Sequence, residues 1–286
     1  MLTIGQAFYD LKDRLSALYD DREAAAITHE ILNHITGMDK SHRLLQKEDA
    51  LTSAQLSQYE DAKAGLVSGK PLQYIIGSSW FMGREFAVNK SVLIPRPETE
   101  ELVLWVINDY AGRHENINIL DIGTGSGCIP VSLKLAMQQA HVMGCDISAD
   151  ALIVAATNAR NLSADIRLVK IDFLDAAQRK ELGMYDVIVS NPPYIPLLEK
   201  ERIHTNVKDH EPHIALFVPD NDPLVFYRAI ASFAKEHLHS KGYIYCELDA
   251  DHAAATQDMF ESEGYRDVVL QKDVHGNLRM LRAAKN

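Results

Sequence analysis

Apolar positions divide the chain into two regimes. Ile4, Phe8, Leu11, Leu15 and Leu18 recur at steps of four and three, the period of a helix with one buried face. Further helical segments are predicted at about 22–36, 40–48 and 53–68. Thr52-Ser53-Ala54-Gln55 supplies a capping-box pattern for the last of these, and Gly69-Lys70-Pro71 ends it. Trp80-Phe81 and Phe86-Ala87-Val88 then flank Gly83-Arg84, which predicts a hairpin. The expected organisation is a helical domain over 1–70 and a β-hairpin connector over 71–95.

From Glu98 onward helix and strand patterns alternate. Helices are predicted at 98–110, 127–138, 149–161, about 223–238 and 251–263, the fourth opened by Asp222-Pro223. Strands are predicted at 117–122, 141–145, 166–171, 186–190 and 242–248, followed by two closing strands. Such alternation builds a mostly parallel sheet covered on both faces, here over 96–286. His275-Gly276-Asn277 is too short for a crossover, so the last two strands must pair antiparallel.

Candidate chemistry sits at the strand ends, where open sheets of this kind bind ligands. The run Ile117 to Ile122 is followed by glycines at alternate positions, Gly123-Thr124-Gly125-Ser126-Gly127, and then by a helical pattern. Strand, tight turn and helix N-terminus form a cradle for a nucleotide-type cofactor, because glycine lets a ligand approach the backbone. The spacing differs from the Gly-x-Gly-x-x-Gly of dinucleotide enzymes. About 20 residues on, where an acid is expected for ribose hydroxyls, the next apolar run ends at Asp146; Ser148 and Asp150 also make this a helix-cap neighbourhood.

After Val187-Ile188-Val189 comes Asn191-Pro192-Pro193-Tyr194. A residue before proline is held extended, so Asn191 and Pro192 are stiffened and their carbonyls point in fixed directions. The Asn191 side-chain oxygen and the Pro192 backbone carbonyl can accept the two protons of one planar –NH₂ group, with Tyr194 as a flat face beside them. Without its context a Pro-Pro pair merely punctuates a loop.

Composition removes several alternatives. The 286 residues carry a formal charge of −11, whereas a protein that grips a nucleic-acid backbone shows a basic footprint; no direct nucleic-acid partner is expected. No apolar run reaches the roughly 18 residues of a membrane span, and the N-terminus lacks a signal-peptide pattern, so a cytoplasmic protein is expected. Cys128, Cys145 and Cys246 lie in or beside apolar runs without Cys-x-x-Cys spacing, and the 12 histidines show no ligand spacing. They read as reduced core cysteines and surface histidines, with no metal site.

Glycine loop, Asp146 and Asn-Pro-Pro-Tyr together resemble an S-adenosylmethionine-dependent methyltransferase acting on a planar nitrogen. Leu93-Ile94-Pro95-Arg96-Pro97-Glu98-Thr99-Glu100, Glu211-Pro212-His213-Ile214-Ala215-Leu216 and Lys272 to Arg279 narrow the resemblance to the HemK/PrmC family of protein-(glutamine-N5) methyltransferases. It runs from about Pro71 to about Ala283. It implies a class I methyltransferase fold: a Rossmann-like, seven-stranded α/β sheet with its last strand antiparallel, behind a small helical substrate-docking domain.

By the same resemblance the cofactor is S-adenosyl-L-methionine. Gly123, Thr124, Gly125, Ser126 and Gly127 would wrap its methionine part, Asp146 its ribose, and Phe173 would lie beside the adenine, with Asn191 as the last contact before the methyl group. Asn191, Pro192 and Tyr194 would be catalytic, Pro193 would add to the substrate platform, and Arg96 and Glu98 would stand near the cofactor or the substrate entry. The implied substrate is the glutamine of the Gly-Gly-Gln motif in class-1 peptide chain release factors. A ribosomal-protein glutamine, an adenine N6 in DNA or RNA, and a non-catalytic S-adenosylmethionine-binding adaptor are the alternatives. Two positions depart from the family pattern: Asp249 replaces the glycine of Glu-x-Gly, and Pro223 stands where glycine is common.

Overall fold

The computed structural model describes residues 1–112 and 116–285. They divide into two compact units, Met1–Gly77 with Thr205–His210, and Ser78–His204 with Glu211–Asn286.

The first unit is helical: α1 (Ile4–Leu15), α2 (Asp21–Thr36), α3 (Lys40–Leu45), α4 (Ser53–Val67) and α5 (Leu72–Ile76). The predicted periodicity buries Ile4, Leu11 and Leu15 of α1 against Ile31 and Leu32 of α2 and Leu66 of α4. Leu18, expected on the same stripe, lies beyond the end of α1 and is 50% exposed. The Thr52–Gln55 capping box forms as predicted. Tyr59 is fully buried, and its hydroxyl donates to the Ala7 carbonyl (2.9 Å) and the Asp10 carboxylate (2.8 Å), tying α4 to α1. The sequence reading ended this domain at 70; α5 extends the compact unit to Gly77, where a left-handed glycine caps the helix.

In the second unit, β1 (Ser78–Phe81) and β2 (Arg84–Ala87) form the hairpin. Its connector is Met82-Gly83, both at positive φ (50° and 69°), the geometry of a tight two-residue turn. The Met82 N–H donates to Glu100 (2.7 Å), which lies in α6 (Pro97–Tyr110).

The alternation beyond it comprises β3 (Asn118–Ile122), α7 (Cys128–Ala136), β4 (His141–Asp146), α8 (Ala149–Asn161), β5 (Arg167–Lys170), α9 (Ala176–Arg179) and β6 (Tyr185–Ser190). The stretch 191–222, read as a loop, contains β7 (Ile195–Pro196) and β8 (Phe217–Val218), which pair in parallel, and α10 (Thr205–His210), which belongs to the first unit. Then come α11 (Val225–His237), β9 (Leu238–Glu247), α12 (Ala253–Ser262), β10 (Arg266–Lys272) and β11 (Leu278–Ala284). Asp222-Pro223 does not open α11. The Asp222 carbonyl instead accepts the Val225 N–H (3.3 Å) in a turn before the helix, whose N-cap is Leu224.

Among the described residues the main sheet has seven strands in the order β10-β11-β9-β6-β3-β4-β5, parallel except for both pairings of β11. Strand side chains alternate between its faces. Leu120, Ile188, Ile244 and Cys246 pack with Tyr227, Ile230 and Phe233 of α11 and Phe260 of α12. Ile119, Val187, Val189 and Tyr245 pack on the other side with Leu102 and Val106 of α6, Val131 of α7 and Ala159 of α8. Both faces being covered, ligand access is left to the strand ends.

Candidate active site

A cavity of about 310 Å³ lies at the carboxyl ends of β3, β4 and β6, within the second unit. Gly123, Gly125, Asp146, Phe173, Asn191, Pro192 and Pro193 line it, so seven sequence-predicted residues meet on one wall system. Thr124, Ser126 and Gly127 do not line it; they build the turn behind it. Thr124 and Ser126 are buried, and the Thr124 hydroxyl donates to Asp121 Oδ2 (2.5 Å). Gly127 is the N-cap of α7 at φ +79°, and a Cβ there would stand 3.0 Å from Ala155 Cβ of α8. The glycine is therefore needed for backbone conformation and helix packing. Burial pushes the Asp121 carboxyl up to about 7, partly offset by the Thr124 hydrogen bond.

Asp146 ends β4. Its Oδ2 accepts the Gly125 N–H (2.8 Å) and its Oδ1 the Ser148 N–H (2.9 Å), so it fastens the glycine loop to the start of α8. It is not the helix cap; that is Ser148, whose hydroxyl accepts the Ala151 N–H. Burial raises the Asp146 carboxyl above its ordinary value, against these backbone donors. A carboxylate offers about four acceptor sites, which leaves capacity for ligand hydroxyls. Phe173 is buried and meets Phe233 edge-on, 5.3 Å between ring centroids.

Asn191 follows the last residue of β6. Its Nδ2 donates to Thr99 Oγ1 (3.0 Å), and Thr99 Oγ1 donates to Glu247 Oε2 (2.6 Å). Among the described residues no donor reaches Asn191 Oδ1 or the Pro192 carbonyl. Tyr194 does not line the cavity; it turns to Glu247, donating to Oε1 (3.4 Å). Arg96 and Glu98 are also off the cavity wall. Arg96, the N-cap of α6, pairs with Glu211, whose other oxygen accepts the Ile94 N–H (3.1 Å), while Glu98 stands half-buried in the first turn of α6. Glu211 is accordingly a buried strut between the loop after the platform and the segment before α6.

Sequence reasoning missed the apolar walls. Ile147 and Leu174 follow Asp146 and Phe173 and are 40% and 41% exposed; Ile214, Phe217, Val225 and Phe226 also line the cavity. An exposed aliphatic residue directly after each predicted ligand contact was the available signal for the first pair. Nothing local marks the second group, which the β7–β8 pairing brings back from far along the chain. Thr99 and Glu247 also escaped, being 148 positions apart.

Two family models match this chain, the PrmC N-terminal domain over residues 6–77 and the Methyltransferase small domain over 102–210. The release factor glutamine methyltransferase of Flavobacterium psychrophilum is 40% identical, the match covering 94% of each chain. That of Bacteroides thetaiotaomicron is 38% identical over 96% of this chain and 97% of its own. Among solved structures, the hMettl16 catalytic domain in complex with MAT2A 3'UTR hairpin 6 superposes with a TM-score of 0.56 at 19% identity, covering 78% of this chain and 81% of that one; at that identity only the class I methyltransferase fold is shared. With similarity running through both units and nearly the whole length, the chain belongs to the release factor glutamine methyltransferase family.

Proposed function

We propose that this protein transfers a methyl group from S-adenosyl-L-methionine to the side-chain amide nitrogen of the glutamine in the Gly-Gly-Gln motif of class-1 peptide chain release factors, in the cytoplasm. The observation that carries this reading is the pair of unspent acceptors, Asn191 Oδ1 and the Pro192 carbonyl, on a rigid segment at the cavity wall. Two fixed acceptors match the two protons of one primary amide.

The residues present fit the donor. The cavity combines apolar walls at Ile147, Phe173 and Leu174 with two acidic residues, Asp146 and Asp172, and with glycines 123 and 125 at φ +75° and +52°, where a side chain would be strained. Asp146 would hold the ribose hydroxyls, Phe173 and its aliphatic neighbours the adenine, and the glycine loop the methionine part. When bound, the cofactor supplies an electrophilic methyl group on a sulfonium centre.

An amide nitrogen is a poor nucleophile because its lone pair is delocalised. The described site offers no base directly on the platform, so positioning does most of the work. Asn191 and Pro192 hold both N–H groups and thereby fix the nitrogen's direction, an effect that reaches roughly 7–11 kcal/mol in favourable systems. The same acceptors bind more strongly as those protons become more acidic in the transition state. Pro193 stiffens the platform. Tyr194, Arg96 and Glu98 act from behind it, through Glu247, Glu211 and the first turn of α6. The helical unit docks a part of the release factor remote from the target loop.

Methyl-transfer assays on a purified release factor, a ribosomal fraction and DNA test this assignment. Transfer to the release factor alone is expected. Transfer only to ribosomal protein or to DNA would replace it.

A further inference from the structure

Behind Asn191 lies a buried hydrogen-bond relay. Glu247, the last residue of β9, and Thr99, in the first turn of α6, are 2% and 3% exposed. The Thr99 hydroxyl donates to Glu247 Oε2 (2.6 Å) and accepts from Asn191 Nδ2 (3.0 Å). A hydroxyl has one proton. While Glu247 is a carboxylate that proton is committed to it, and Thr99 can only accept from Asn191. The Asn191 amide is then restricted to one of its two orientations, Nδ2 toward Thr99 and Oδ1 away from it. Were Glu247 protonated, it would donate to Thr99, and the freed hydroxyl proton would reach Asn191 Oδ1. The amide would be released to turn over, presenting an –NH₂ donor where the platform needs an acceptor.

We propose that Glu247 and Thr99 are positioning residues for the methyl transfer, their hydrogen-bond relay holding the Asn191 amide with its carbonyl oxygen toward the substrate amide. The inference rests on the reading of this site as a glutamine-amide methyltransferase. The surroundings of Glu247 make the relay sensitive to pH. Arg279 of β11 faces it and is shared with Asp273, 3.6 Å away; Glu98 of α6 is a like charge; the Tyr194 hydroxyl donates to Oε1. Tyr227 of α11 donates to its backbone carbonyl (3.0 Å), and Asp249 beyond β9 is paired with His252. Burial pushes the Glu247 carboxyl up to about 7, the Thr99 hydrogen bond and then Arg279 opposing the rise. The relay is intact in the carboxylate form, so turnover should fall as pH drops through this value.

The test measures kcat, KM and the pH profile with intact release factor, and cofactor affinity by calorimetry, for wild type, Thr99→Val, Thr99→Ser and Glu247→Gln. Thr99→Val should lower kcat about 10- to 100-fold, less than the roughly 10²–10³ of losing a direct contact, with cofactor affinity within about twofold. Thr99→Ser should recover most of that loss. Glu247→Gln keeps an acceptor for Thr99 but does not titrate, so the acid limb near pH 7 should vanish; this arm stands even if Thr99→Val does not fold. Wild-type kcat in Thr99→Val, or the same acid limb in Glu247→Gln, would overturn the relay alone. A wild-type enzyme that puts no methyl group on glutamine would overturn the reaction assignment and the relay with it.

Discussion

At the residue scale, two side chains with different duties can be separated by which kinetic quantity each controls. Asp146 fastens the glycine loop and retains acceptor capacity toward the cavity. A hydrogen bond to a charged group contributes about 1.5–3 kcal/mol, so Asp146→Ala should weaken cofactor binding roughly 10- to 150-fold; titration calorimetry giving wild-type affinity would remove Asp146 from the ligand. Asn191 keeps an unspent side-chain oxygen at the cavity wall. Asn191→Ala should lower kcat by on the order of 10²–10³ while changing cofactor affinity little. Steady-state kinetics in which KM rises and kcat holds would show that the amide is gripped elsewhere.

At the element scale, the turn from β3 into α7 is the part of the site most dependent on backbone. Gly127 has a left-handed φ of +79°, and a Cβ there would crowd Ala155 of α8 at 3.0 Å. Gly127→Ala should destabilise the second unit by about 1–3 kcal/mol and weaken cofactor binding as the loop shifts, seen together in thermal unfolding and calorimetry. An alanine variant that melts and binds like wild type would mean that α8 yields freely. This turn was legible in the sequence because strand, glycines and helix are contiguous, as were the sheet strands, whose apolar runs are buried on two faces. What stayed hidden was non-local. The Thr99–Glu247 pair, the Arg96–Glu211 strut and the apolar wall from Ile214 to Phe226 are made by chain segments that only the completed sheet brings together. The short α5 and the β7–β8 pair were missed because two to five residues carry too little periodicity to register.

At the scale of the whole molecule, the chain pairs a helical unit with one that holds the seven-stranded sheet and the cavity. The residues that line the cavity all belong to the second unit. A separate docking surface raises the effective concentration of a weakly bound target loop, and a charge of −11 suits a protein partner better than a polyanion. Deleting residues 1–77 should therefore reduce kcat/KM on an intact release factor much more than on a short Gly-Gly-Gln peptide. Equal losses on both would deny the docking role. None of the described helices is long and apolar enough to cross a membrane. The central claim, methylation of one glutamine amide, is tested most directly by fragment-ion mass spectrometry of an unmethylated class-1 release factor after incubation with the enzyme and S-adenosylmethionine. A single added methyl group on the side chain of the Gly-Gly-Gln glutamine is the predicted result; an unmodified glutamine there, or a methyl group found only at another residue, would contradict it.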